Sequence, residues 1–170
     1  MIRTLILIRH AKSDWDDAAL DDHDRPLNIR GLQSAPRIGA WLSRMGVKPE
    51  AVLCSTARRT RETWAGIASR LPHAPEPEFR RSLYLAAPSE ILSAIRDSDA
   101  GTLAVIGHNP GIGALAWSLC RTQPEHPKFG LYPTGATLIL QFEAPHWADI
   151  MPGMGLVAGF AVPRELPDPD

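Results

Sequence analysis

Cysteine is nearly absent from this chain. Cys54 and Cys120 are the only 2 in 170 residues, and they stand far apart without CxxC spacing. That excludes a disulfide framework or a cysteine metal site and leaves two small buried hydrophobes in a reduced compartment. Long hydrophobic runs are missing too. The apolar run Leu5 to Ile8 falls far short of the roughly 20 residues a membrane helix needs, and it is already required as a strand. We therefore expect neither a signal peptide nor a membrane span, and a cytoplasmic location. Net charge is scarce at −1, which leaves no global field to recruit nucleic acid or an anionic membrane. Internal repeats and low-complexity blocks are absent. Lysine is rare, with Lys12, Lys48 and Lys128 the 3 lysines among 18 basic residues. Arginine is the better fork for phosphate, yet composition bias accounts for the total, so only individually placed arginines carry weight. The length suits one domain over residues 1–170, acting as a monomer.

What is present alternates between short apolar runs and amphipathic stretches, the pattern of an α/β fold with a mostly parallel sheet. Leu5 to Ile8, Ala51 to Cys54 and Thr102 to Ile106 read as strands buried on both faces. Thr134 to Phe142 and Gly155 to Val162 read as two more. A helix follows the N-cap Asn28 to about Met45, with a stripe of Leu32, Ala35, Ile38, Leu42 and Met45, and Pro36 awkward inside it. Ser55 is the expected cap of a second helix, and Pro88 opens a third carrying Ile91, Leu92 and Ile95. A fourth, after Pro110, is apolar nearly all round and predicted to be deeply buried. Asp14 to Pro26 and Gln123 to Pro133 read as loops, and Pro163 to Asp170 as a frayed tail.

Several strands deliver chemistry to their C-terminal ends, the rim where ligands bind in open α/β sheets. The first ends in Arg9-His10 and another in Gly107-His108-Asn109-Pro110. Arg59 falls in the first turn of the helix after Ser55, where backbone amides and the helix dipole favour an anion. Each feature alone has a plain structural reading, such as a surface pair at a strand end or a histidine before a helix. Together, two strand-end histidines and two placed arginines suit phosphoryl transfer, with an imidazole as nucleophile and guanidinium groups as the oxyanion clamp. The Asp/His-rich loop Asp21-Asp22-His23-Asp24 admits a metal site, or carboxylates that restrain Arg9 or Arg25; we expect no metal there.

The motifs in order resemble the histidine phosphatase superfamily, with its phosphoglycerate-mutase-like fold, and within it the small phosphohistidine phosphatases of the SixA type. Arg9-His10-Ala11-Lys12-Ser13 matches RHxxS, and Leu27 to Ala35 matches LTxxGxxQA. Ser55 to Thr63 matches SPxxRAxQT, with the family arginine at Arg59 rather than Arg58, and GHNP is intact at Gly107 to Pro110. The resemblance implies a three-layer α/β/α sandwich. It makes His10 the nucleophile, Arg9 and Arg59 the phosphoryl clamp and His108 a further donor. Ser13 and Asn109 enter as substrate-binding residues, and no cofactor is implied.

Two departures matter. Where mutases of the superfamily carry an asparagine, this chain has Asp16, which cannot donate to phosphate and is left out of the pocket. The stretch Arg80 to Ala86 lacks the general-acid glutamate of those relatives, leaving Glu90 and the Asp21–Asp24 cluster as weak candidates. Without an acid an alkoxide leaves poorly, whereas imidazole leaves neutral once protonated on its other nitrogen. The expected partner is thus a protein phosphorylated on histidine. The alternatives are a small phosphorylated metabolite, as for a phosphomonoesterase, and a non-catalytic phosphate-binding module.

Overall fold

A computed structural model describes residues 1–169. Strands β1 (Ile2–Arg9), β2 (Ala51–Ser55), β3 (Glu78–Arg80), β4 (Thr102–Gly107), β5 (Thr137–Glu143) and β6 (Leu156–Ala161) form one sheet in the order β3-β2-β4-β1-β5-β6. The pairs β2–β3, β2–β4 and β1–β4 are parallel, and β5 alone is reversed, pairing antiparallel with β1 and β6. The interleaved helices are α1 (Ile29–Arg44), α2 (Arg58–Ala68), α3 (Pro88–Arg96) and α4 (Gly111–Leu119).

The period-2 geometry of β1 creates the three layers. Leu5 and Leu7 pack on one face with Ile91 and Ile95 of α3 and Ile112 and Leu115 of α4. Ile6 and Ile8 pack on the other with Ala35, Ile38 and Leu42 of α1 and Trp64 and Ile67 of α2. All four β1 residues are fully buried, which explains an apolar run without alternation. The expected α/β/α sandwich is what the chain forms.

Details depart from the sequence reading. Edge strand β3 has no apolar pattern to reveal it; it exists because β2 offers it backbone partners. Pro36 sits inside α1 without ending it. The α1 stripe is narrower than expected, since Leu32 and Met45 are exposed while Ala35, Ile38 and Leu42 are buried. Helix α4 is not buried all round, because Ala114, Trp117 and Ser118 face solvent. The tail read as frayed from Pro163 to Asp170 is anchored: Pro163–Glu165 forms a 3₁₀ turn with Pro163 buried, and Asp168 pairs with Arg37 of α1. Asp170 lies outside the described residues. Both cysteines are free and buried, and burial pushes the Cys54 thiol up to about 12.

One close approach fixes where β1 goes after the sheet. Asn28 caps α1 by accepting the Gly31 N–H at 2.9 Å, and its own N–H donates to the Lys12 carbonyl at 3.0 Å. A side chain at Gly31 would put its Cβ 2.2 Å from that same carbonyl oxygen. Glycine is required here by contact, not by backbone angle. Gly31→Ala should therefore lower the unfolding free energy by about 1–3 kcal/mol. It should also reduce activity, because Lys12 carries the loop that holds His10. Urea unfolding midpoints measure the first effect; a wild-type midpoint would show that the loop yields freely.

Candidate active site

The parallel strands β1, β4 and β2 end at one edge of the sheet, so His10, His108 and Ser55 arrive together. The two imidazole rings lie 5.4 Å apart between centroids and are tilted. Arg59, in the first turn of α2, joins them, with its guanidinium 3.4 Å from His108 Nδ1. Arg9, the last residue of β1, donates to the Tyr132 carbonyl at 3.1 Å. The four residues singled out as catalytic candidates are thus brought together.

Hydrogen bonds settle the tautomer of each ring. His10 Nδ1 lies 2.7 Å from the Ala11 carbonyl, which only accepts, so Nδ1 carries the proton and Nε2 keeps its lone pair. Ala11 is itself held: its N–H donates to Thr63 Oγ1 at 3.0 Å, tying this loop to α2. Nε2 of His10 has no partner among the described residues. Burial, with the charges of Arg59, Arg9 and Arg25 acting against the Ala11 bond, lowers the His10 pKa to about 4. The ring is neutral at pH 7.

His108 has the opposite tautomer. Arg59 can only donate, so His108 Nδ1 accepts, and Nε2–H donates to Ser55 Oγ at 2.8 Å. Burial, then His10 and Arg59, lowers its pKa to about 3. Its single proton is therefore committed to Ser55, so His108 in this state is not the free donor expected from the sequence. Ser55 also departs from expectation. It ends β2, Ala57 takes the N-cap position of α2 with no side-chain cap, and the Ser55 hydroxyl serves His108.

Three further members enter here: the sequence offers Asp22 and Arg25 only as part of a loop whose carboxylates restrain an arginine or weakly qualify as an acid, and it does not reach Tyr84. Asp22, in the 3₁₀ turn Asp22–Asp24, accepts from Arg59 Nη2 at 3.0 Å, while its backbone carbonyl accepts from Arg59 Nη1 at 2.7 Å. Its other carboxylate oxygen accepts from Arg25 at 2.9 and 3.1 Å, and Tyr84 O–H donates to the oxygen that Arg59 uses. Partial burial opposes ionisation, yet these three donors hold the Asp22 carboxyl well below the usual range. Tyr84 stands edge-on to the rings of His108 and His23 and has its own pKa raised by burial and Asp22. Arg25 is buried, stacks on Trp15 and adds positive charge near His10. The Asp22-to-Arg25 spacing was the available signal, diluted by five other aspartates nearby.

The remaining candidates are otherwise occupied. Ser13 Oγ accepts from Arg25 at 3.0 Å. Asn109, expected to bind substrate, spends both amide hydrogens on the Leu131 and Tyr132 carbonyls and its oxygen on Gly113 N–H, so it braces a loop instead. Glu90 and Asp16 are exposed and make no hydrogen bond or ion pair with these groups among the described residues. His23 bonds Thr56, and no group of three or more His, Cys, Asp or Glu among the described residues is arranged to hold a metal.

Chemically, the site offers a neutral nucleophilic nitrogen beside several cations. Among the described residues three buried side-chain nitrogens lack any partner, and two of them are Arg9 Nε and Arg59 Nε. Buried donors without acceptors are costly, and an anion would satisfy them.

Comparison with known proteins agrees with this geometry. The family described as histidine phosphatase superfamily (branch 1) matches residues 5–83. An uncharacterised Mycobacterium tuberculosis protein is 37% identical over 92% of this chain and 100% of its own length. Phosphohistidine phosphatase SixA of Escherichia coli is 31% identical over 68% of this chain and 73% of its own. A solved structure from Nakamurella multipartitia, assigned provisionally to SixA, superposes with a TM-score of 0.81 and 31% identity, covering 96% of this chain and 97% of that one.

Two tests follow from the electrostatics. NMR titration should place the His10 midpoint near 4; a midpoint at the ordinary 6.5 would contradict the buried, cation-flanked environment. Unfolded histidine takes up its proton first, so folding stability is intact above pH 6.5 and falls as pH drops towards 4. The expected slope is up to about 1.4 kcal/mol per pH unit for each of the two rings. Asp22→Asn should strengthen competitive inhibition by orthophosphate about three- to tenfold, by removing an anion that occupies Arg59. Unchanged or weaker inhibition would mean that Asp22 matters mainly for holding the arginines in place.

Proposed function

This chain belongs to the histidine phosphatase superfamily, of the SixA type, and on that footing is a phosphatase; we propose that it removes phosphate from histidine on a partner protein, by way of a phosphorylated His10. The observation that carries the proposal is the free Nε2 of a neutral His10 beside arginines with buried, unpartnered N–H groups. Residues 1–170 act as one domain, and no metal or cofactor enters the scheme.

In the first step His10 Nε2 attacks the phosphorus in line with the substrate's P–N bond. A P–N bond forms to His10, the substrate's P–N bond breaks, and the departing imidazole leaves neutral, having taken a proton from solvent on its other nitrogen. Arg9 and Arg59 neutralise the equatorial oxygens, which is most of what phosphoryl transfer asks of a protein. To do so Arg59 exchanges Asp22 for the phosphoryl group. Ser55 then has a use: a hydroxyl both accepts and donates, so it can turn to donate to His108 Nε2 and leave the His108 proton on Nδ1, towards the phosphoryl oxygens. In the second step water attacks phospho-His10, its P–N bond breaks, and orthophosphate leaves with His10 neutral again.

The preference for a P–N bond is supported by the state of the acids. Glu90 is at the surface, and Asp22 is held as a carboxylate by three donors, so no protonated acid stands ready for an alkoxide. The second reading, hydrolysis of small phosphomonoesters, draws on Asp22 too. Freed from Arg59, it is the one carboxyl at the site able to relay a proton.

The deciding experiment compares kcat/KM for a phosphohistidine-bearing protein with that for a sugar phosphate, using His10→Ala as the inactive control. We expect the phosphohistidine to win by at least tenfold, about 1.4 kcal/mol of transition-state preference. A tenfold win for the sugar phosphate would replace the first reading with the second.

A further inference from the structure

We propose that the surface flanking the catalytic pocket on both sides of Leu131 is a docking site for an acidic, partly apolar segment of the phosphorylated partner protein. The inference rests on the phosphohistidine reading above and adds the partner's chemistry to it.

On one side of Leu131 lies a groove of about 500 Å³ walled by Lys12, Arg30, Arg37, Lys128 and Arg164. No carboxylate is among its described lining residues. Arg37 pairs with Asp168, but Lys12, Arg30, Lys128 and Arg164 form no ion pair among the described residues. In a chain of net charge −1, such a one-signed wall is a local field, and it selects an anionic occupant. The groove is continuous with the catalytic loop. Lys12 is two residues beyond His10, and Gly135, next to the lining residue Thr134, donates its N–H to the carbonyls of Arg9 and His10.

On the other side of Leu131 is a second hollow, bordered by Asn109, Pro110, Ala114 and Trp117. Asn109, which directly follows His108 in the chain, lines this hollow and ties it to the 131–132 loop. Leu131 is 73% exposed and Trp117 52% exposed. The Trp117 ring is stacked on Phe129 at 5.8 Å, so it presents a fixed apolar face. The loop bearing Leu131 is braced by Asn109 and by Arg9 through the carbonyls of residues 131 and 132.

The occupant is a protein segment, for two reasons. A small ligand is recognised by burying most of its surface in one enclosed cavity. Here two hollows lie side by side with an exposed leucine as the ridge between them. Exposed tryptophan and arginine beside an apolar ridge is the composition of protein interfaces. A segment crossing that ridge, acidic towards the groove and apolar towards Trp117, sets its phosphohistidine at the pocket between His10 and His108.

Two synthetic phosphohistidine peptides of equal length test this, one with Asp/Glu flanks and a leucine, the other with serine in those places. The full chain should favour the acidic peptide by about tenfold in kcat/KM, mainly through KM, and the preference should shrink as salt rises. The triple variant Arg30→Glu, Lys128→Glu, Arg164→Glu should erase the preference while leaving turnover of an aryl phosphate unchanged. Leu131→Ala should raise the KM of the leucine-bearing peptide but not that of the serine peptide or the aryl phosphate. Equal use of the two peptides by the wild type overturns the docking surface and leaves the phosphohistidine reading intact. So does a triple variant that loses aryl phosphate turnover in step. If that variant selectively loses a sugar bisphosphate relative to its monophosphate, the groove is a small-molecule subsite and the proposal falls. Turnover of the aryl phosphate with neither peptide accepted would remove the phosphohistidine reading, and the docking surface with it.

Discussion

Arginine side chains from three different segments crowd the edge of this sheet, and like charges there need an anion between or beside them. Asp22 answers that need. Its carboxylate and carbonyl together engage Arg59, while its second oxygen holds Arg25 and Tyr84 completes the set. The positions of Arg59, Arg25 and Tyr84 all depend on this one carboxylate. A phosphoryl group carries more negative charge than a carboxylate, so it competes for Arg59 where a neutral ligand would not displace Asp22.

The same concentration of charge keeps the histidines useful. A buried imidazole near several guanidinium groups stays neutral, and a neutral imidazole is the nucleophilic form. Geometry then decides which nitrogen of His10 is left with a free lone pair. The Ala11 carbonyl claims the proton on His10 Nδ1, leaving Nε2 with its lone pair, and Arg59 and Ser55 impose the opposite tautomer on His108. Two chemically identical residues thereby acquire different proton positions from their neighbours alone.

Rigidity comes from the sheet behind them. Leu5 to Ile8 of β1 are fully buried between two helical layers, and the loop beyond β1 is pinned by Thr63, Asn28 and the close passage of Gly31. The rim on the α4 side is braced in turn by Asn109. Outside this frame the surface is unevenly charged, with Lys12, Arg30, Arg37, Lys128 and Arg164 gathered along one groove.

Much of this was legible in the linear chain. Continuous apolar runs in β1, β2 and β4 require burial on both faces, which forces helices onto each side and strand ends onto one rim. His10, His108, Arg9 and Arg59 follow from that, because their distance from strand ends is fixed by covalent spacing. Four motifs in order identified the family. Other features depend on partners distant in sequence, and only the tertiary structure decided them. Ser55 looks like a helix cap until β4 brings His108 beside it. Asn109 looks available until the 131–132 loop takes its amide. Asp22 is one of six aspartates from Asp14 to Asp24 until Arg59 and Tyr84 close on it. β3 and the Pro163 turn lack a periodic signal, because an edge strand and a packed tail are stabilised by what they lie against. Burial patterns are local and survive projection onto a sequence; hydrogen-bond partners, proton positions and charge clustering are not, because they arise only when separate segments meet.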